Sequence, residues 1–355
     1  MVKDLYIVMK LFGTSNNDYD VVALVLGPDE MGSDALGLRL RCNKTREVRG
    51  RVVDEESIYW NLMKRYFPPG FHIIQARLSE FTEFSRDAEG SPWTANDLLF
   101  EVIDEFGNPI ANDQIFAFYS QRSLPTPTRD HIIRVAGNIG IEGFLFTGAT
   151  WHYRLNLLAK RYRGHDILAS DNILDWGVGC GRIARHFLEG RSRNVVGADI
   201  DAFNVKWLNE SVGRDVAMRI DFDPPMPFPA DHFDIIYGHS VFTHLTYEDQ
   251  FKWLAELRRL LKPGEFAFLT VCTEPGVLIT RFFDFAGFWD KFISDGFYDL
   301  GPVSIGVDEG REGYYRLVFH TQKFINENWA KYFIIRRALP CYIEHQTLLI
   351  LQKPG

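Results

Sequence analysis

The chain has 355 residues, enough for two domains, and its 46% hydrophobic and 24% charged residues are the proportions of an ordinary globular protein. Those figures exclude a collagen, a disordered tail protein and a disulfide-stapled miniprotein. The 47 acidic against 39 basic side chains, a formal charge of -8, argue against a general affinity for nucleic acid.

From Met1 to Phe12 the chain is partly apolar, but Lys3, Asp4 and Lys10 interrupt it, so no signal peptide is expected. No later stretch approaches the ~20 apolar residues of a membrane span. Cys42, Cys180, Cys272 and Cys341 lie far apart, with no CxxC pair and no clustered histidines. They read as reduced thiols without a metal site, in a cytoplasmic protein.

Residues 1–125 read as a β-rich domain serving assembly or acceptor presentation. Val21–Leu26 is a short apolar run closed by Gly27-Pro28, and Leu36–Cys42 alternates with the period of a half-buried strand. Leu98–Asp104 and Gln114–Ser120 flank Gly107-Asn108-Pro109, which predicts a hairpin. Several short strands punctuated in this way suggest a small sandwich or barrel. Leu124-Pro125-Thr126-Pro127-Thr128 marks the boundary, and residues 126–165 read as linker and helical cap, with an amphipathic helix over Trp151–Arg163.

From Asn172 strands alternate with helices, the pattern of a parallel sheet covered on both faces. In Ile173-Leu174-Asp175-Trp176-Gly177-Val178-Gly179-Cys180-Gly181-Arg182, an apolar strand runs into three glycines at alternate positions, and a helix is expected from Arg182. Such glycines allow positive φ and close backbone approach by a ligand. A second strand, Asn194–Ala198, ends in Asp199, about 20 residues beyond the glycine loop, where a carboxylate accepts from ribose hydroxyls. Asp201 is placed to cap the following helix. Gly179–Ala184 also fits the dinucleotide fingerprint. Asp175 argues against it, because a carboxylate there repels a pyrophosphate and attracts an ammonium, and the downstream order is wrong for a dehydrogenase.

These blocks resemble the class I S-adenosylmethionine-dependent methyltransferases. To the glycine and Gly197-Ala198-Asp199 motifs are added Met226–Tyr237, Ser240–Leu245 and Leu257–Gly264 leading into a strand Phe266–Val271. The resemblance spans about 166–355 and implies a Rossmann-like α/β fold, mostly parallel with a terminal antiparallel hairpin. It implies that Asp175, Gly177, Gly179 and Gly181 surround the methionine part of S-adenosylmethionine and that Asp199 holds its ribose, while Arg182 either reaches the cofactor carboxylate or pairs with a surface acid. Adenine recognition would fall after the third strand, with Asp221, Phe222 and Asp223 as joint candidates.

His239 and His244 follow the fourth strand and are the candidate bases, His239 the first choice; the alternative for His244 is fastening the loop to its neighbour. Helix 247–261 is structural, with Phe251, Leu254, Leu257 and Leu261 on its buried face. At about 275–315, ten aromatic residues including Phe282, Phe283, Phe285, Phe288, Phe292, Tyr314 and Tyr315 form an insertion, expected to wall the acceptor pocket. A satellite core or a homo-oligomer contact is the alternative. Lys323–Tyr332 reads as a helix, and Tyr332–Arg336 with Leu348–Gln352 as the terminal hairpin. The expected activity is O-methylation of a small polar or glycan-like acceptor. Methylation of a hydrophobic or aromatic natural product, or a non-catalytic scaffold, are the other readings.

Overall fold

The computed structural model describes residues 124–137, 139–168, 171–189, 194–280, 287–303 and 313–355, together with the strands of the preceding region. The chain divides into two units, Met1–Gln121 and Arg122–Gly355.

In the first unit, β1 (Tyr6–Gly13), β2 (Tyr19–Leu26), β3 (Gly37–Arg41), β4 (Thr45–Glu47), β5 (Arg51–Val52), β6 (Phe71–Arg77), β7 (Leu98–Ile103) and β8 (Pro109–Ile115) form two antiparallel sheets. Their orders are β1-β2-β6-β5 and β4-β3-β7-β8. The expected strands at 21–26 and 36–42 fall within β2 and β3. The hairpin differs from expectation, since β8 begins at Pro109, five residues before Gln114, pairing it with Ile103. Proline lacks a backbone donor and is tolerated at the first residue of a strand, so it opens β8 instead of belonging to the turn. Residues 116–120 of the expected strand lie outside the described residues.

The second unit opens with α1 (Arg129–Ala136) and α2 (Ile141–Arg163). Helix α2 starts ten residues before the expected Trp151. Gly143, Thr147, Gly148 and Thr150 weaken the local signal, but Phe144, Leu145, Ala149 and Trp151 are buried there and tertiary packing prevails. Then come β9 (Ile173–Trp176), α3 (Ala184–Glu189), β10 (Val195–Asp199), α4 (Ala202–Val212), β11 (Ala217–Arg219) and β12 (Phe233–Gly238). After a 3-10 turn at Phe242–His244 follow α5 (Tyr247–Leu260) and β13 (Leu261–Val271). The chain closes with α6 (Glu274–Thr280), α7 (Phe288–Asp295), β14 (Phe297–Pro302), β15 (Arg316–His320), α8 (Gln322–Asn328), β16 (Ile334–Ile343) and β17 (Gln346–Gln352).

Seven strands form one sheet in the order β11-β10-β9-β12-β13-β17-β16. The first five run parallel, and β17 is antiparallel to both its neighbours. This is the Rossmann-like methyltransferase sheet with its closing hairpin. Strand order reverses between β9 and β12, which opens a crevice at their carboxyl ends.

Buried Leu174, Trp176, Ile236, Ala267 and Leu349 pack on α5 through Trp253, Leu254, Leu257 and Leu260. The buried face of α5 therefore uses Trp253 and Leu260, while Phe251 is half-buried and Leu261 already belongs to β13. Thr246 caps α5, its hydroxyl accepting from the Asp249 N–H at 3.1 Å. The expected helix from Lys323 is α8, which ends at Asn328 before a 3-10 turn.

The aromatic insertion forms a satellite core around Phe288 and Phe292. Phe288, Phe292 and Phe319 bury one another with Cys272 and Val277 in a separate small core, so Phe288 and Phe292 are not pocket walls. Phe282, Phe283 and Phe285 lie outside the described residues.

Candidate functional site

The glycine loop leaves β9 and is pinned to β10, with the Gly177 N–H donating to the Ala198 carbonyl at 2.8 Å. Gly177, Gly179 and Gly181 all have positive φ. Gly179 is tightly constrained, because a Cβ there would lie 2.5 Å from Val135 Cγ2 of α1. The helix expected from Arg182 begins at Ala184, and Arg182 lies in the turn before it.

Asp199 closes β10. Its Oδ2 accepts from the Gly179 N–H at 2.7 Å and its Oδ1 from the Asp201 N–H at 2.9 Å. The Ile200 N–H also bonds this carboxylate, which still has room to accept from a ligand hydroxyl. Asp201 caps α4 through the N–H groups of Phe203 and Asn204, and Arg134 holds it bidentately at 2.6 and 2.8 Å.

A cavity of about 980 Å³, including the open solvent at its mouth, occupies the crevice. Asp175, Gly177, Gly179, Arg182, Asp199, His239 and His244 all line it. Gly181 does not; a Cβ there would meet Leu208 at 2.7 Å. Asp221, Phe222 and Asp223 are also absent from the lining. Asp223 instead pairs with Lys252 at 2.8 Å, and the Phe222 ring packs edge-on against Tyr314 at 4.4 Å. Ile220, the residue that directly follows β11, lines the cavity in their place.

Sequence reasoning missed Arg134 and Val135 of α1, as well as Ile200, Leu245 and Trp253. Ile200 and Ile220 carried a readable signal, since each immediately follows a parallel strand. Tyr314 and Tyr315, at the end of the aromatic insertion expected at about 275–315, line the cavity.

Two carboxylates border this space. Burial pushes Asp175 up to about 7, against a 2.8 Å hydrogen bond from the Tyr237 hydroxyl, which opposes the shift. Burial also pushes Asp199 up to about 6, opposed by its backbone donors. Buried carboxylates beside a cavity favour a ligand that brings a positive charge to one and hydroxyl donors to the other. The ammonium and ribose of S-adenosylmethionine supply those groups, so the residues fit it.

The two histidines differ in tautomer. A guanidinium can only donate, so the contact between Arg182 Nη2 and His239 Nδ1 makes Nδ1 the acceptor and leaves the proton on Nε2. Burial and the Arg182 charge hold His239 well below its ordinary pKa. The expected order of preference for the base therefore reverses, because His239 already carries a proton on its remaining nitrogen. His244 Nδ1 donates to the Arg316 carbonyl at 2.6 Å, which leaves Nε2 with a lone pair. Burial lowers its pKa to about 4, so the ring is neutral at physiological pH. Its ring centroid lies 4.3 Å from that of Tyr315.

Among the described residues, no group of three or more His, Cys, Asp or Glu is placed to hold a metal ion. Nor is any helix there long and apolar enough to cross a membrane.

The parallel sheet with its antiparallel closing strands and the glycine loop under a switch point form a fold of the class I methyltransferase type. Residues 173–264 match the family model described as a methyltransferase domain. The second unit thus carries a methyltransferase domain over those residues.

An S-adenosylmethionine-dependent methyltransferase from Methanosarcina mazei aligns with TM-score 0.42 and 17% identity, over 56% of this chain and 97% of its own. The glycopeptide N-methyltransferase MtfA, solved with S-adenosyl-L-homocysteine, aligns with TM-score 0.38 and 13% identity, over 57% and 87%. A methyltransferase from Mesorhizobium loti aligns with TM-score 0.35 and 15% identity, over 51% and 90%. No curated protein matches the chain.

Proposed function

We propose that the enzyme methylates an oxygen atom of a small polar or glycan-like acceptor, with His244 as the base that takes the hydroxyl proton. The observation that carries this reading is the 2.6 Å hydrogen bond from His244 Nδ1 to the Arg316 carbonyl, which turns an unprotonated Nε2 on a cavity-lining ring to the task.

When bound, S-adenosylmethionine supplies an electrophilic methyl group on a sulfonium. Asp175 holds its ammonium and Arg182 its carboxylate. Asp199 takes the ribose hydroxyls, and Gly177 and Gly179 let it approach the backbone. Ile200 and Ile220 flank the adenine, with Asp221 exposed directly after Ile220. His239 accepts from Arg182 through Nδ1 in this scheme.

Two antiparallel sheets in the first unit are in keeping with a glycan-like acceptor at the level of architecture alone. Tyr314 and Tyr315 on the cavity favour the second reading, methylation of an aromatic natural product. A cytoplasmic location belongs to the same proposal.

A methyl-transfer screen across hydroxylated sugars, phenols and amines, run with wild type and His244→Ala, tests it. Transfer to a sugar hydroxyl that falls ~10²–10⁴-fold in the variant is expected. Transfer to an amine, or an unchanged rate in the variant, overturns it.

A further inference from the structure

Arg182 is buried at 6% exposure. Its Nη1 donates to Glu344, in the turn between β16 and β17, across a long 3.5 Å ion pair whose carboxylate is itself 38% exposed at its side chain. A buried guanidinium is costly unless an anion answers it. Arg182 lines the cavity beside Asp175, close enough for each charge to act on the other. An anion and a cation fixed side by side match a zwitterionic α-amino acid group, as in the methionine part of the cofactor.

The cation is fixed at both ends. A Cβ on Gly148 of α2 would lie 2.0 Å from the Arg182 carbonyl oxygen, so the helix presses directly on its backbone. At the other end, His239 Nδ1 accepts from Nη2. His239 is 8% exposed, its ring centroid lies 5.7 Å from that of Trp151, and its Nε2 has no hydrogen-bond partner and is closed off from solvent. A sealed nitrogen bearing a proton neither reaches an acceptor nor takes a proton from one. What His239 offers the site is the lone pair on Nδ1.

We propose that His239 is a positioning residue, a neutral acceptor that aims the Arg182 guanidinium at the carboxylate of the bound cofactor. This role rests on the cofactor assignment above. An acidic acceptor in place of His239 would neutralise Arg182 and weaken its pull on a ligand carboxylate. A neutral one orients the guanidinium and leaves its charge for the ligand.

The test compares two ligands by calorimetry on the full chain, S-adenosylhomocysteine and 5′-methylthioadenosine, which lacks the amino acid end. Wild type should prefer S-adenosylhomocysteine. His239→Phe, which keeps a ring but no acceptor, should lose ~10-fold or more for S-adenosylhomocysteine and change little for methylthioadenosine. His239→Asn, whose side-chain oxygen can accept from Arg182, should restore most of that loss. Nitrogen NMR of wild type should find His239 protonated on Nε2 and still neutral where an ordinary imidazole is charged, a readout that needs no variant. Equal losses for both ligands in His239→Phe, no rescue by His239→Asn, or a proton on Nδ1 would overturn the role. Failure of wild type to bind either ligand overturns the cofactor assignment itself, and this role with it.

Discussion

Tyr237 and Asp175 face each other in register on adjacent parallel strands, and the tyrosine hydroxyl donates to Asp175 Oδ2 at 2.8 Å. Asp175 is 2% exposed and Tyr237 wholly buried, so the carboxyl group lies in the sheet core. The fold thus retains a buried acid that a hydrophobic residue would replace at a gain in stability. Such a cost points to ligand binding.

Asp175→Asn should separate stability from binding. The folded pKa of Asp175, about 7, lies above the ordinary 3.8, so its stabilising contribution is complete below pH 4 and lost as pH rises through 7. At pH 8 the variant should melt several degrees higher than wild type, with no gain near pH 4. Its affinity for S-adenosylhomocysteine should fall at least tenfold. In wild type that affinity should weaken as pH drops from 8 to 6, because the ligand ammonium needs the ionised acid. Melting curves and calorimetry at three pH values check both.

Asp199→Ala should weaken S-adenosylhomocysteine binding by ~1–3 kcal/mol, through loss of a charged acceptor for the ribose. The same change frees the Gly179 and Asp201 N–H groups. Asp199→Asn should lose less, since one acceptor oxygen remains. Identical affinities in all three proteins would remove the ribose from this position.

Gly179→Ala should destabilise the second unit by ~1–3 kcal/mol. The residue has φ +52°, and the added methyl would displace Val135 of α1. Since Val135 also lines the cavity, cofactor affinity should fall together with the melting temperature. Unchanged melting would mean α1 does not press on the loop in solution.

A truncated chain beginning at Thr126 should fold and bind the cofactor with wild-type affinity. Among the described residues, every one lining the cavity belongs to the second unit, the earliest of them Arg134. Loss of binding in a truncated protein that keeps its helical circular dichroism would assign the first unit a part in cofactor retention.

The cofactor half of the site was legible because its chemistry is local. Asp175, the glycines and Asp199 sit at strand ends, where backbone geometry alone sets their direction, and Asp201 caps the next helix within three residues. The sequence by itself therefore determined the parallel sheet, its glycine loop and the kind of ligand it takes. It did not determine the tautomers of His239 and His244, which depend on Arg182, 57 residues away, and on the Arg316 carbonyl, 72 residues away. Nor did it separate Phe288 and Phe292, which bury one another, from Tyr314 and Tyr315, which reach the cavity. Aromatic composition is the same in both pairs. Only the tertiary structure decided which rings line the cavity and which nitrogens carry a proton, because a hydrogen bond or a packing contact between distant segments leaves no periodic trace in the chain.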